Sequence, residues 1–517
     1  MRKAGCYVVN RYLLPGMILL ALSCCAAVPT DIERTHTTAF DQPQTTRAGK
    51  LFADLISRHP GESGFMLLAE GEDAFMMRSA MAVSAEQTLD VQYYIWEDDD
   101  IGRILVSHLL TAADRGVRVR LLLDDIHTDG KDFDIARMDS HPNIEIRLFN
   151  PFLNRNWRSL DWLVDSSRIN HRMHNKVFVM DNAMAIVGGR NIGDDYFGIH
   201  SVKNFRDLDL LSVGPVVQEI SSSFDEFWNS EWSIPAAVLV TDPVSEQTAR
   251  DMFEALQQQV SGITEFPFTI KLDEQDFETR LQNVGARLIW ADYQVMYDKP
   301  DKVSTDNQQG IAPHLRQLVN ELQQEVAIES AYFIPGTQFR EVIADLRQRG
   351  VRIKVLTNSL ASNDVIAAHA GYAATRTQLL KQGVELFELR PDAQAERRRW
   401  SIAASSQSNL HSKLIVFDRQ IVVVGTFNLD PRSANINTEI ALVVHSPVLA
   451  AQLQSIIEDG MRPENSYRLL LDEKDEQLRW LSEHHGEELR YTTEPEASLW
   501  RRLGAWLFAL LPIHSQL

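Results

Sequence analysis

Residues 174–181 read HNKVFVMD and residues 411–418 read HSKLIVFD, so one pattern of functional groups, H-x-K-x4-D, occurs twice. Beyond each aspartate, a glycine follows at the seventh position and an asparagine at the tenth. These flanking residues are Gly188 and Asn191 in the first copy, and Gly425 and Asn428 in the second. A pattern repeated together with its flanks is far less expected by chance than a single copy.

Each copy places a histidine and a lysine beside a short apolar segment that is typical of a buried strand. Side chains alternate along a strand, so an imidazole and an ammonium group two residues apart would share one surface. Two such surfaces together offer a nucleophilic nitrogen, a proton donor and fixed positive charge, which suit displacement at a phosphodiester. A lone histidine beside a strand is usually an ordinary packed or solvated residue, but that interpretation does not explain two copies.

The rest of the chain repeats with a similar spacing. The segment YYI at 93–95 matches YFI at 332–334 at an offset of 239 residues, and RGVRV at 115–119 matches RGVRI at 349–353 at an offset of 234. The two motif histidines are 237 residues apart. A near-constant offset predicts a duplicated domain. The elements predicted before the first motif are strand 88–96, helix 101–115, strand 117–123 and strand 144–149.

With these motifs, the chain resembles the phospholipase D superfamily, whose two-lobed members join two such motifs at one active site. The segments RMHNK at 172–176 and VGGRNIGD at 187–194 are similar to those of bacterial cardiolipin synthases of the cardiolipin synthase C type. The resemblance implies an α/β fold of duplicated phospholipase D-like domains, each a mixed sheet flanked by helices. It also implies one active site at the interface between the two halves.

The resemblance further implies roles for the motif residues. His174 would be the nucleophile and His411 the general acid and base, although the residues alone do not order these roles. The family often has a serine after the first trailing glycine, where this chain has Gly189 and Thr426. The groups expected to bind the non-bridging phosphate oxygens are Lys176, Lys413, Asn191 and Asn428.

Four carboxylates belong to the predicted site. Asp181 and Asp418 complete the two catalytic motifs, and we expect them to be buried braces of the motif rather than catalysts. Asp207 and Glu439 are 232 residues apart and are the candidates to orient a catalytic histidine. The alternative is that they are ordinary charges at strand edges.

The ends of the chain predict export and contact with a membrane. Basic residues precede an apolar run at 13–22, which is typical of a signal peptide and too short to span a bilayer. Cys24 would be lipidated if the segment is a lipoprotein signal, and plain cleavage near Ala27 is the alternative. The predicted location is membrane-associated, on the periplasmic or extracytoplasmic side. The apolar run at 503–511 suits the membrane interface or a helix docked on the body.

These observations give the following domain organisation. Two phospholipase D-like domains occupy residues 88–233 and 285–460. The remaining segments are the signal at 1–30, an N-terminal extension at 31–87, a helical connector at 234–284 and a C-terminal tail at 461–517. Before the first motif, residues 151–170 are rich in arginine and aromatic residues and indicate either a lipid-headgroup contact or a surface loop.

Composition narrows the substrates. The formal net charge of −20 argues against nucleic acid as a partner. No cofactor or metal is predicted, since neither half shows metal-ligand spacing. The resemblance favours a phosphatidyltransferase that forms cardiolipin from phosphatidylglycerol, with phosphatidylethanolamine or a second phosphatidylglycerol as donor. Hydrolysis of phospholipids by the same machinery is the alternative function.

Overall fold

The computed structural model describes residue 32 and residues 34–240, 244–263, 266–268, 274–303, 310–393, 406–472 and 474–511. The predicted signal, including Cys24, lies outside the described residues. The strands are β1 Ser63–Leu68, β2 Thr88–Tyr93, β3 Arg118–Asp124, β4 Ile144–Phe149, β5 Val177–Met180, β6 Met184–Gly188, β7 Lys203–Arg206, β8 Asp209–Val213, β9 Ser233–Pro235, β10 Ile289–Tyr297, β11 Glu325–Ser330, β12 Arg352–Asn358, β13 Glu385–Leu389, β14 Gln407–Leu410, β15 Lys413–Phe417, β16 Ile421–Gly425, β17 Ile440–His445, β18 Ser466–Leu471, β19 Leu478–His484 and β20 Glu487–Tyr491. The helices are α1 Arg47–Arg58, α2 Gly71–Ser84, α3 Asp100–Asp114, α4 Asp132–Asp139, α5 Arg158–Val164, α6 Ser166–Asn170, α7 Pro215–Trp228, α8 Ala236–Leu239, α9 Glu246–Gly262, α10 Glu274–Arg287, α11 Ile311–Glu321, α12 Thr337–Gln348, α13 Ile366–Ala373, α14 Arg376–Lys381, α15 Pro431–Asn435, α16 Pro447–Gly460 and α17 Leu499–Ala509.

The two halves contain sheets with the same strand order, which confirms the predicted duplication. The first sheet runs β1-β8-β6-β5-β2-β3-β4 and the second runs β10-β17-β16-β15-β11-β12-β13. In both sheets three parallel strands lie beside antiparallel ones, so each sheet is mixed, as predicted. The equivalent strands β1 and β10 also pair with each other and join the two sheets.

The repeated segments RGVRV and RGVRI end equivalent helices. Gly116 follows α3 with φ +94° and Gly350 follows α12 with φ +83°. Glycine adopts this left-handed conformation without a Cβ penalty, so it ends the helix and turns the chain into the next parallel strand. The repeat therefore has a structural cause rather than a catalytic one.

Burial on both faces explains why the residues between the lysine and the aspartate of each motif are apolar. In β5, Val177 and Val179 pack in a layer between the two halves, whereas Phe178 and Met180 pack in the outer core of the first half. In β15, Leu414 and Val416 enter the same central layer. A strand buried on both faces leaves no position for a polar side chain. This shared layer holds the two motifs against each other.

The structure corrects one step of the repeat alignment. Glu97 N donates to Ile192 O, and Ile334 N donates to Leu429 O. Glu97 and Ile334 are therefore equivalent, at the same offset of 237 residues as the histidines. The match of 93–95 with 332–334 is wrong by two residues, a shift that keeps each side chain on the same face and so is easily missed. As a result, the counterpart of Tyr94 is Ala331.

Both sheets extend beyond the stretches assigned to the two domains. In the segment described above as the N-terminal extension, β1 pairs with β8 of the first sheet. In the segment described as the C-terminal tail, β18 pairs with β13 of the second sheet and is followed by β19 and β20. The apolar side chains Phe65 and Leu68 of β1 are buried, although the sequence around them is polar.

The last described helix, α17, docks on the second half. Arg501 Nε donates to Leu360 O at 2.9 Å, and Arg502 Nη2 donates to Glu494 O at 2.6 Å. Its apolar side chains nevertheless face outward, with Trp500 82% exposed and Trp506 58% exposed. The helix is thus attached through its arginines and presents apolar surface to its surroundings. In the part of the chain that the structure describes, no helix has the length and apolarity to cross a membrane.

Candidate active site

The two motif histidines lie immediately before the central strands of the two sheets, and each is anchored to the opposite half. His174 N donates to Thr438 O at 2.9 Å, and His411 N donates to Arg206 O at 2.9 Å. Both imidazoles are buried. The predicted single site at the interface between the halves is therefore built by backbone bonds that cross that interface.

The orienting carboxylates also cross between the halves. His174 Nδ1 lies 2.7 Å from Glu439 Oε2, and His411 Nδ1 lies 2.7 Å from Asp207 Oδ2. Each carboxylate thus serves the histidine of the other half, a pairing that the sequence did not indicate. A carboxylate at Nδ1 holds the proton there and leaves Nε2 as the nucleophilic nitrogen. Ser433 Oγ donates to the second oxygen of Glu439 at 2.8 Å and fixes the carboxylate in turn.

The lysines bring positive charge to the same site. Lys176 Nζ donates to His174 O at 2.7 Å, and Lys413 Nζ lies 3.1 Å from His411 Nδ1. Burial lowers the pKa of Lys176 well below its usual value, and the charge of Lys413 lowers it further. Burial likewise lowers the pKa of Lys413, which Asp207 partly offsets. An anionic phosphodiester between these groups would stabilise their charged forms.

Both histidines have strongly lowered pKa values. Burial lowers the pKa of His174, and the charges of Lys176 and Lys413 lower it further. Burial also lowers the pKa of His411, again followed by the charges of the two lysines. Each histidine therefore responds to the lysine of the other half. A neutral imidazole near neutral pH is the form that attacks phosphorus or accepts a proton.

The carboxylates are shifted in the opposite direction. Burial raises the pKa of Glu439 to about 7. Burial also raises the pKa of Asp207, against the lowering effect of the Lys413 charge. Burial thus disfavours the charged forms of both the histidines and the carboxylates. The strand register places Gly188 opposite Asp209 and Gly425 opposite Ala441, which confirms that Asp207 and Glu439 are equivalent.

The residues after the trailing glycines explain the departure from the family pattern. A Cβ on Gly189 would lie 2.1 Å from Asp207 Oδ1, so the glycine leaves room for that carboxylate. Thr426 Oγ1 accepts a hydrogen bond from Ile440 N at 3.0 Å and is tied to the neighbouring strand. The first side therefore has no hydroxyl at this position because its carboxylate occupies the space.

The two asparagines lie in the site with different surroundings. Asn191 Oδ1 accepts a hydrogen bond from Ile95 N at 3.2 Å. The buried Nδ2 of Asn191 lies near the Tyr196 hydroxyl but makes no well-aligned hydrogen bond within the described residues. Asn428 is buried, and its Oδ1 has no hydrogen-bond partner in the same part of the chain. A buried amide donor without a partner is costly, and a phosphate oxygen would satisfy it. Phosphate binding by both asparagines remains a prediction.

The motif aspartates lie at the far ends of the strands and act as braces. Asp181 accepts hydrogen bonds from the backbone N–H groups of Glu86, Gln87 and Thr88, at 3.0, 2.7 and 2.8 Å. Asp418 accepts equivalent bonds from residues 323–325. Only Asp181 is fully buried, so the expectation of two buried braces is wrong for Asp418, which is partly exposed.

Aromatic walls around the histidines were not predicted. The Tyr94 ring lies 5.0 Å from the His174 ring, and the rings of Tyr196 and Phe205 each lie 5.1 Å from the His411 ring. Nothing in the sequence marks these residues, since Tyr196 and Phe205 lie outside the motifs and Tyr94 was aligned with the wrong partner. These rings form the apolar part of the wall of a site that the lysines and carboxylates otherwise make charged.

The arginine-rich segment before the first motif is mostly structural. Arg155 pairs with the carboxylates of Asp125 and Asp132, and Arg168 Nε donates to Asp165 Oδ2 at 2.6 Å. The guanidinium groups are thus engaged with the protein itself, which does not support a lipid-headgroup contact. The segment is not a surface loop either, because most of it forms the short helices α5 and α6. Trp157 is 70% exposed.

In the part of the chain described, no group of three or more histidine, cysteine, aspartate or glutamate side chains is placed to hold a metal ion.

Comparisons with known proteins agree with this geometry. A family model described as "Cardiolipin synthase, PLD-like domain" matches residues 79–228 and 315–460. Cardiolipin synthase C of Escherichia coli (strain K12) is 38% identical over 89% of this chain and 97% of its own length. An uncharacterized protein of Helicobacter pylori (strain ATCC 700392 / 26695) is 33% identical over 89% of this chain and 91% of its own. The crystal structure of phosphatidylserine synthase from Haemophilus influenzae Rd KW20 superposes on this chain with a TM-score of 0.54 and 12% sequence identity. The match covers 82% of this chain and 92% of that one, and it shows similarity of fold. Because the duplicated sheets, the paired motifs and these matches coincide, the chain belongs to the cardiolipin synthase family with phospholipase D-like domains.

Proposed function

We propose that the protein is a phosphatidyltransferase that forms cardiolipin from phosphatidylglycerol and a second phospholipid. The observation that carries the proposal is the pair of buried histidines, each held at 2.7 Å through Nδ1 by the carboxylate of the opposite half. Two imidazoles with the same tautomer, on either side of one site, suit a double displacement at phosphorus. Relatives that carry the name cardiolipin synthase support this choice of acceptor.

In the first displacement, His174 Nε2 attacks the phosphorus of the donor lipid. The bound phosphodiester offsets the lysine charges that lower the pKa of His411, so His411 enters this step as an imidazolium with a proton on each nitrogen. A P–N bond forms, the P–O bond to the headgroup alcohol breaks, and the His411 imidazolium gives its Nε2 proton to the departing oxygen. Lys176 and Lys413 offset the negative charge that builds up on the non-bridging oxygens. The product is a phosphatidyl group bound to His174 and a free alcohol, which is glycerol or ethanolamine according to the donor.

In the second displacement, the terminal hydroxyl of phosphatidylglycerol attacks the same phosphorus. His411 accepts the hydroxyl proton, the new P–O bond forms, and the P–N bond breaks with its electron pair returning to His174. Cardiolipin is released. Water in place of the lipid hydroxyl would give phosphatidic acid, so the buried, aromatic-walled site favours transfer by limiting water.

The protein acts at a membrane surface in this proposal. The substrates reside in a bilayer, and α17 presents two exposed tryptophans on an apolar face, a composition typical of interfacial helices. An export signal is predicted at the N-terminus, and this prediction supports placing the activity on the extracytoplasmic side.

Incubation of the purified protein with vesicles of phosphatidylglycerol and phosphatidylethanolamine, followed by mass spectrometry of the lipids, tests the proposal. We expect cardiolipin from the wild type and none from His174→Ala or His411→Ala, with both variants retaining the wild-type melting temperature. The released alcohol identifies the donor. Phosphatidic acid without cardiolipin would make the protein a hydrolase, and full activity in either variant would contradict the two-histidine mechanism.

A further inference from the structure

An apolar cavity of about 350 Å³ lies in the outer layer of the first half. Its floor is the outer face of the sheet, with Leu121 and Leu123 of β3 and Ile146 of β4. Helices cover it, with Val106 on α3, Met138 on α4 and Leu256 on α9. The connector helix α9 thus forms one wall of this cavity. Ligand cavities in proteins have volumes of roughly 300–1,000 Å³, so this space is large enough for a ligand.

The inner end of the cavity adjoins the catalytic site. Tyr94 lines the cavity, and its ring lies 5.0 Å from the His174 ring. His127 also lines it, with its ring 5.2 Å from that of Tyr94. Both residues follow the carboxyl ends of parallel strands, the edge at which α/β sheets bind ligands. The Tyr94 ring thus lies between His174 and the apolar space, and a long molecule bound at His174 would reach that space by passing this one side chain.

The charged groups at the rim are engaged with one another. Arg103 Nε donates to Asp98 Oδ1 at 2.8 Å. Lys131 Nζ donates to Trp96 O at 2.7 Å and lies 3.3 Å from Glu97 Oε2. The buried Asp124 also lines the cavity, and it is paired with Arg172 at 3.1 Å. The floor and the covering helices contribute mainly apolar side chains, so this part of the cavity matches a hydrocarbon rather than a headgroup.

The equivalent layer of the second half contains charged and aromatic side chains. There the position of Leu148 in β4 is taken by Glu388 in β13, as the strand registers show. Arg376 Nη1 and Trp480 Nε1 each donate to Glu388 at 2.9 Å and fill the region under α14. An apolar cleft elsewhere in that half measures about 40 Å³. The duplicated fold is thus asymmetric in this layer.

We propose that the cavity holds one fatty-acyl chain of the lipid bound next to His174. This inference rests on the proposed function and adds a lipid-chain site to it. The phosphodiester lies between the two histidines, and the chain runs past Tyr94 between the first sheet and α9. The first half therefore selects long-chain lipids for the displacement at His174.

Filling the cavity tests the assignment. Leu256→Trp narrows the cavity from α9, and Gln258→Trp places the same side chain on the exposed face of the same helix. With dioleoyl-phosphatidylglycerol we expect kcat/KM of Leu256→Trp to fall at least about tenfold below that of Gln258→Trp, since each methylene excluded from an apolar site weakens binding about fourfold. With dihexanoyl-phosphatidylglycerol the two variants should agree within about twofold. Equal loss on both substrates, or no loss on either, would overturn the acyl-chain site while leaving the transferase proposal intact.

Photolabelling of the wild-type protein gives a second measurement that does not depend on turnover or on the folding of a variant. Phosphatidylglycerol with a diazirine at mid-chain, presented in vesicles, should label peptides that contain residues of α3, α4 or α9. Labelling confined to other segments would overturn the proposal. If the wild type forms neither cardiolipin nor phosphatidic acid, the proposed function fails, and the labelled peptides still decide whether the cavity binds a chain.

Discussion

Asp207 and Glu439 each hold the histidine of the opposite half, so a change in either carboxylate acts on a site to which both halves contribute. Asp207→Asn keeps the size of the side chain, but its amide oxygen is needed to accept from Leu208 N, as Asp207 Oδ1 does. Its amide N–H group would then face His411 Nδ1 and favour the wrong tautomer. We expect kcat to fall about 10²–10⁴-fold, because misoriented acid–base groups lose that factor in comparable sites. Product formation by mass spectrometry and a thermal melt measure the two effects.

The same variant orders the two histidine roles. If His174 is the nucleophile, Asp207→Asn should slow release of the covalent intermediate, and acid-quenched protein should carry a phosphatidyl group on a peptide containing His174. Glu439→Gln, which affects His174 instead, should accumulate much less of it. A phosphatidyl group on His411 in either variant would reverse the assigned roles.

The pH dependence follows from the lowered pKa values of the histidines. Burial and the two lysine charges keep His174 neutral as the pH falls through the ordinary histidine value of about 6.5. The nucleophile is therefore still unprotonated below that pH, and the acid limb of kcat/KM should have its midpoint below about 6.5. Rates measured between about pH 5 and pH 8, with a melting curve at each pH, check this. A midpoint at or above the ordinary value would contradict the shift.

At the scale of single elements, the turn after each motif strand is held by its aspartate. Asp181 and Asp418 have similar strained backbone conformations, with φ of +52° and +47°, so backbone strain cancels in a comparison of their alanine variants. Asp181→Ala would leave the buried N–H of Thr88 and two part-buried N–H groups without their acceptor, whereas water can reach the donors of Asp418. We expect Asp181→Ala to lower stability by about 2–4 kcal/mol and Asp418→Ala by about 1 kcal/mol. Thermal melts of both variants measure the difference, and equal losses would contradict the brace model.

The connector helix α9 is an element with two functions. It joins the halves in sequence, and through Leu256 it closes the apolar cavity of the first half. Its amphipathic sequence shows a helix with one apolar face, but such a pattern does not specify which surface that face covers.

At the scale of the whole molecule, the exposed apolar face of α17 predicts vesicle binding. Trp500→Ser with Trp506→Ser removes two exposed rings and leaves the contacts of Arg501 and Arg502 with the body unchanged. We expect the double variant to bind phosphatidylglycerol vesicles at least about tenfold more weakly, because large aromatic side chains dominate interfacial binding. Cosedimentation measures the binding, and Trp157→Ser is the control on the first half. Unchanged partitioning would mean that α17 is only a docked helix.

The central layer between the halves makes the molecule a single functional unit. Val177 and Val179 of the first half pack in the same core as Leu414 and Val416 of the second. Each imidazole also depends on a carboxylate from the other half. A half alone would therefore expose an apolar face and carry a histidine without its acceptor.

Much of this arrangement could be predicted from the sequence, because its signals are local. The two H-x-K-x4-D motifs, the trailing asparagines and the recurrent RGV segments each lie within a few residues, and strand periodicity places them on equivalent elements. The approximate offset of Asp207 and Glu439 was sufficient to identify them as carboxylates of the site. Strand β1 was not predicted, because it is short and its neighbours in the sequence are polar. Its pairing with β8 is visible only once the sheet has formed.

Other features depend on how the two halves pack, and no local pattern encodes them. Glu439 reaches His174 because the halves face each other across one apolar layer, and residues 265 apart in sequence meet only after that packing. Hydrogen bonds between strands also decide which residues of β2 and β11 are equivalent. This equivalence differs by two residues from the match of the sequences, and it places Ala331 rather than a tyrosine at the position that corresponds to Tyr94. The apolar cavity is a space left between a sheet and three helices, and its shape follows from side-chain volumes in three dimensions. The sequence alone thus identified the chemical groups, and their pairing and the lipid-chain space arise from long-range packing.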